Sequence, residues 1–120
     1  MASTRYDLGR ADSADPIERQ SSKPDYQVLI YPGIRAKNVR GTKDTPPTFM
    51  LCADHDKGPS LAIPALYLAL KKEGVPAELH TYNSGGYGFG YRPGATPVIK
   101  STWVLRLQDW MSDTGMSPAK

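Results

Sequence analysis

Between Phe49 and Tyr82 the chain writes three segments in quick succession: FMLCA, then LAIPALYLALKKE, then AELHTY. The outer two are short β-prone runs, and the middle one has the length and spacing of a helix. Pro46-Pro47 and the polar stretch DHDKG bound the first run. Ala62 to Glu73 reads as a helix with Ser60 as its N-cap, Pro64 in its first turn and Gly74 closing it. Two strands separated by a whole helix are too far apart for a tight hairpin. The connection they favour is a crossover between parallel strands.

The flanking sequence extends the pattern on both sides. Tyr26 to Tyr31 (YQVLIY) is another β-prone run, ended by the turn signal Pro32-Gly33. Residues 34–47 form a connector that carries Arg35, Lys37, Arg40 and Lys43. A final helix is predicted over Pro97 to Asp113, where Ile99, Trp103, Leu107, Trp110 and Met111 share one face. The expected fold class is therefore α/β, a three-stranded parallel sheet with flanking helices. Residues 1–24 are polar and read as an irregular lead-in with one short helical turn after Asp15 and Pro16. Residues 25–113 form the patterned body, and 114–120 a flexible tail. A chain of 120 residues suits one modest domain, and 39% hydrophobic with 22% charged residues is ordinary for a globular one.

Several function classes recede on the same grounds. The longest apolar run, LAIPALYLAL, is much shorter than a bilayer span. The stretch MASTRYDLGR lacks the apolar core of a secretory signal, so the cytoplasm is the default expectation. Cys52 is the single cysteine, which excludes an internal disulfide, and its apolar strand favours a packing role. A net charge of +3 permits an acidic partner without arguing for one. The basic connector has no nucleic-acid recognition module beside it, so no nucleic-acid partner is expected. Asp54, His55, Asp56 and His80 are metal-capable residue types, but their spacing matches no ligand set, and neither metal nor cofactor is expected.

In parallel α/β sheets, chemistry gathers on loops that leave the carboxyl ends of the strands. Two loops qualify: Asp54-His55-Asp56-Lys57-Gly58, and Asn83 to Gly90. The second holds four glycines in six residues, 85 to 90, with Tyr87 among them. Such density implies a sharp turn or a close backbone approach. The loop has neither the G-x-G-x-x-G nor the Lys-Ser/Thr of a phosphate cradle.

TPPTFMLCADHD, YLALKKEGVPAELHTY, GGYGFG and the closing tryptophan helix together resemble the C-terminal part of an α/β-hydrolase. The branch they resemble holds the acetyl-xylan-esterase-like and feruloyl-esterase-like carboxylesterases, and ADSADPIERQSSKPDYQVLIYPG resembles it as well. The likeness runs from about Ala11 to Trp110 in ordered blocks. It implies the C-terminal half of that fold, with carboxylic esters such as acetylated polysaccharides as the substrate class. By the same pattern the segment with the nucleophile would lie upstream of residue 1, and MASTRYD resembles the helix tail that follows it. The chain would then begin inside a hydrolase, as an internal start, a truncated gene or an excised half.

These hydrolases use a Ser–Asp–His triad with the serine in a G-x-S-x-G elbow. The resemblance places the acid at Asp56, with Asp54 as second choice. The position of the histidine, in a loop that such relatives write GGHGFG, is occupied by Tyr87. A phenol, with a pKa near ~10, cannot take and return a proton at neutral pH as an imidazole near ~6.5 does. Tyr87 is left with hydrogen bonding, to Asp56 on the neighbouring loop or to a ligand. His80 matches a strand histidine outside the triad and is expected to be packed or hydrogen-bonded in the sheet. No G-x-S-x-G occurs in the sequence, and Gly58-Pro59-Ser60-Leu61-Ala62 only imitates it inside the acid loop. The expectation is an incomplete triad: a hydrolase relative inactive alone unless an N-terminal half is supplied, or a binding or oligomeric module descended from one. The first strand, lacking the neighbour it would have in a complete hydrolase, is expected either to make the chain self-associate through the Tyr26–Tyr31 edge or to leave it marginally stable without its missing half.

Overall fold

The computed structural model describes residues 6–116. Residues 1–5, most of the expected helix tail MASTRYD, and residues 117–120 of the expected C-terminal tail lie outside the described residues. Three strands, β1 (Gln27–Ile30), β2 (Thr48–Ala53) and β3 (Ala77–Tyr82), form one sheet in the order β1-β2-β3. Both pairings are parallel, with Leu29 opposite Met50 and Leu51 opposite His80. All six residues of β2 are buried, which accounts for its apolar composition between two neighbours and two covered faces.

Helix α1 (Pro59–Lys72) and helix α2 (Ile99–Asp113) cover opposite faces of the sheet. The pleat sorts the side chains of β2. Met50 and Cys52 pack with Ile63, Leu66 and Leu70 of α1, whereas Phe49, Leu51 and Ala53 pack with Ile99 and Trp110 of α2. The face expected for the last helix is the one used, since Trp103, Leu107 and Met111 adjoin the same cluster. Trp110 meets Phe49 at 5.7 Å and Tyr26 at 5.9 Å between ring centroids.

The helix starts differ from the sequence expectation, and at α1 a proline explains the difference. α1 begins at Pro59 after a Gly58 N-cap, so Ser60 lies inside the first turn and does not cap it. The fixed φ of proline is suited to a first helical position, and the missing N–H costs nothing there. Pro64 thus falls in the helix interior, where it lacks a backbone bond to Ser60. The other end is as expected: Gly74, at φ +74°, reverses the chain while Val75 N–H donates to Leu70 O at 2.9 Å. α2 starts at Ile99, two residues later than Pro97.

The connector contains a short 3-10 turn (Ala36–Asn38) and passes close to α1, where Gly41 lies against Leu70. The lead-in is irregular but tied to itself. Arg10 N–H donates to Glu18 O at 2.7 Å and Ser22 N–H to Asp7 O at 2.8 Å, closing a loop. An Arg10–Glu18 ion pair lies across it. The short turn expected after Asp15 is present as a hydrogen-bonded turn, in which Ile17 N–H donates to Asp15 Oδ1 at 2.8 Å.

Candidate functional site

The acid loop and the glycine loop leave the carboxyl ends of β2 and β3, which are paired neighbours. Asp54 N–H still belongs to the sheet, donating to Tyr82 O at 2.8 Å. The chain then turns, and Asp56 N–H donates back to Ala53 O at 3.0 Å. The Asp56 carbonyl in turn accepts from Ser60 N–H at 2.9 Å, in the first turn of α1. Backbone bonds on both sides therefore hold Asp56 in place, while Asp54 and His55 are exposed.

The carboxylate of Asp56 is half-buried, and its Oδ2 is buried with no hydrogen-bond partner. A buried acceptor left unmatched costs about 1–3 kcal/mol. Such an atom has capacity for a donor from a ligand or another chain.

Tyr87, on the glycine loop, is 73% exposed. Its ring packs edge-on against Tyr31 at 5.5 Å between centroids. Among the described residues no hydrogen bond joins Tyr87 to Asp56, so the direct link open to it in sequence terms is not made. The loop around Tyr87 is anchored at three points. Gly85 sits so close to β2 and α2 that a Cβ there would lie 2.7 Å from Ile99 Cγ2 and 3.2 Å from Ala53 Cβ. Phe89 is 3% exposed and stacks edge-on with Tyr31 at 4.7 Å. Gly90 O accepts from Trp103 Nε1 at 3.0 Å. The glycines thus serve close packing at Gly85 and leave Tyr87 presented outward.

Tyr31 was not singled out from the sequence as a site residue. It directly follows β1 with φ +37°, an uncommon angle for a side-chain-bearing residue, and its ring packs edge-on against both Tyr87 and Phe89. The turn signal Pro32-Gly33 beside it was the available cue.

The other chemistry-bearing residues are accounted for structurally. His80 stands in β3 with Nε2 2.7 Å from Glu78 Oε1 and its ring 5.5 Å from that of Phe49, as expected for a strand histidine. Cys52 is fully buried, with Sγ 3.8 Å from Thr81 Oγ1. Burial pushes its thiol pKa up, the Thr81 contact pulls the other way, and Asp56 and Asp54 add a further upward push. Among the described residues no group of three His, Cys, Asp or Glu side chains gathers to hold a metal ion. No helix among them is long and apolar enough to cross a membrane. An open depression of about 480 Å³ lies at the other end of the sheet, between Lys23–Asp25 and Lys43–Pro47, away from the acid loop.

Solved structures share this fold. An acetyl ester-xyloside bifunctional hydrolase from Caldicellulosiruptor lactoaceticus superposes with a TM-score of 0.81 at 28% identity, over 95% of this chain and 51% of its own. A carboxylesterase from Lactobacillus plantarum WCFS1 gives 0.70 at 16% identity, over 85% of this chain and 48% of its own. An alpha/beta hydrolase enzyme from a Medee basin deep-sea metagenome library gives 0.62 at 21% identity, over 76% and 44%. The chain therefore spans about half the length of the structures it matches. No protein-family model matches it, and no curated protein does. The fold is a partial α/β-hydrolase fold, related to that of esterases.

Proposed function

We propose that residues 25–113 of this partial α/β-hydrolase fold are the acid-bearing half of a carboxylic ester hydrolase, and that the chain by itself hydrolyses no ester. The observation that carries this reading is Asp56. Backbone bonds hold it at the carboxyl end of the central strand, and its buried Oδ2 has no partner. In a complete unit that oxygen would accept the N–H of a base and hold it in the productive orientation. Asp54 is more exposed and is the weaker candidate. Tyr87 stands at the position of the base and has no imidazole chemistry to offer. The substrate class consistent with the resemblance is an ester, including an acylated carbohydrate, once a nucleophile-bearing segment is present.

The test is hydrolysis of p-nitrophenyl acetate by the chain alone, together with labelling by a fluorophosphonate, which reacts with an activated serine. The expected result is the buffer rate and no label. Tyr87→His alone is expected to leave both unchanged, because nucleophile, base and acid act as a unit. Turnover that disappears on mutating a single serine would refute the proposal.

A second reading is favoured by the exposure of Tyr87, 73% despite its packing on Tyr31. A tyrosine held outward by a rigid loop suits contact with a ligand or partner, as in a non-catalytic binding or oligomeric module derived from a hydrolase. Tyr87→Ala would then weaken that contact and leave folding intact.

A further inference from the structure

The outer edge of β1 is unpaired among the described residues. Gln27 N–H donates to Pro47 O at 2.9 Å and Tyr31 N–H to Leu51 O at 2.8 Å, so the odd-numbered residues of β1 face β2. By the alternation of a parallel ladder, Val28 and Ile30 turn their N–H and C=O groups away from the sheet, and Tyr26 continues that set. Val28 is 40% exposed, and its neighbours along the same face, Tyr26 and Ile30, are only partly buried.

The edge also lacks the features that keep strands apart. QVLI contains no charge and no proline. The opposite edge, β3, carries the Glu78–His80 pair. The nearest prolines are Pro24 and Pro32, each four residues from Val28. They lie outside the strand, whose outward positions are Tyr26, Val28 and Ile30, symmetric about Val28, and Tyr31 at φ +37° breaks the alternation before Pro32.

We propose that β1 pairs antiparallel with β1 of a second copy, about a two-fold axis at Val28, joining two three-stranded sheets into one of six. The symmetry of that outward set selects this register. Centred on Val28, each copy's Val28 bonds the other's, and Tyr26 of each exchanges bonds with Ile30 of the other. Centring on Ile30 or on Tyr26 carries the pairing past the ends of the strand, beyond Ile30 into the bend at Tyr31 or before Tyr26 into the bend at Asp25, which removes ladder bonds in both cases. In the Val28 register the side chains of Tyr26, Val28 and Ile30 align on one face as an apolar seam. The interface is isologous, so it closes as a dimer. The inference uses none of the residues at the carboxyl end of the sheet, but it claims the edge that a nucleophile-bearing segment would take, so a dimer through β1 and a completed hydrolase half exclude one another.

The test is sedimentation velocity across the micromolar range, with two variants. The wild-type chain is expected to pass from monomer to dimer. Val28→Pro removes an outward N–H that β2 does not use. It is expected to weaken dimerisation about tenfold or more, since two ladder bonds are lost. Val28→Cys reports the register, because directly opposed residues have Cα atoms about 5.5 Å apart, within disulfide reach. Mild oxidation is expected to cross-link Val28→Cys into a dimer, and not Val98→Cys, which is exposed at the start of α2 and outside β1. A wild-type chain that stays monomeric throughout would overturn the proposal. A dimer in which Val28→Cys fails to cross-link would overturn it too, and that outcome does not depend on how well Val28→Pro folds.

Discussion

Adding a single methyl group at Gly85 tests whether the glycine loop is held by close packing or merely by turn geometry. Gly85 has φ +149° and Gly86 φ +67°, angles that side chains rarely adopt, so alanine at either position is strained by about 1–3 kcal/mol. The surroundings separate the two. At Gly86 a Cβ meets nothing within 4 Å. At Gly85 it would stand 2.7 Å from Ile99 Cγ2 and 3.2 Å from Ala53 Cβ, against a fully buried helix residue and the end of the central strand. Forcing a methyl into such a packed site costs a further ~1–3 kcal/mol. Gly85→Ala is therefore expected to destabilise the fold by about 2–6 kcal/mol and Gly86→Ala by about 1–3 kcal/mol. For a domain of this size each kcal/mol lowers Tm by roughly 4 °C, so thermal melts should separate the variants clearly. The double variant with Ile99→Ala adds a sharper criterion. It removes Cγ2, the atom in conflict, so the two substitutions together should cost less than their sum. Equal losses for Gly85→Ala and Gly86→Ala, with strict additivity against Ile99→Ala, would refute the close-packing argument.

Phe89→Ala should cost about 3–5 kcal/mol in urea unfolding, because it empties a buried site and removes the ring that Tyr31 stacks on. Trp103→Phe keeps most of the packing but loses the bond to Gly90 O, and a loss of about 1 kcal/mol is expected in the same assay. The raised thiol pKa of Cys52 gives a pH signature. A group whose folded pKa lies above its unfolded value contributes stability that is intact below the unfolded pKa, here 9.0, and lost as pH climbs through the folded one. Tm should therefore fall more steeply above pH 9.0 in the wild-type chain than in Cys52→Ala, and parallel curves would count against burial of the thiol. Alkylation of Cys52 should likewise be slow in the native state and rapid in denaturant.

The order of strands and helices was legible in the residues because its signals are local. β3 has the bounds its pattern predicts, and β1 and β2 differ from theirs by a residue at one or both ends, as apolar runs punctuated by proline and glycine allow. The apolar face of α2 was legible for the same reason, since side chains a turn apart must share a side. Asp56 and Tyr87 were reached through resemblance, and their placement on loops from paired strands followed from parallel order alone.

Their environments were decided only by the fold. Whether Asp56 Oδ2 finds a partner depends on what two other segments place around it, and nothing in DHDKG records that. Tyr87 faces outward because Gly85, Phe89 and Gly90 are each anchored elsewhere, to Ile99, to Tyr31 and to Trp103, partners 13 to 58 positions away in sequence. The start of α1 was settled by Pro59 inside a turn that Asp56 closes, a competition that the capping preference of Ser60 could not reveal. Local chemistry dictates which segments extend and which coil. Exposure, close approach and unmet hydrogen bonds are properties of neighbours distant in sequence, and they exist only once the sheet has brought those neighbours together.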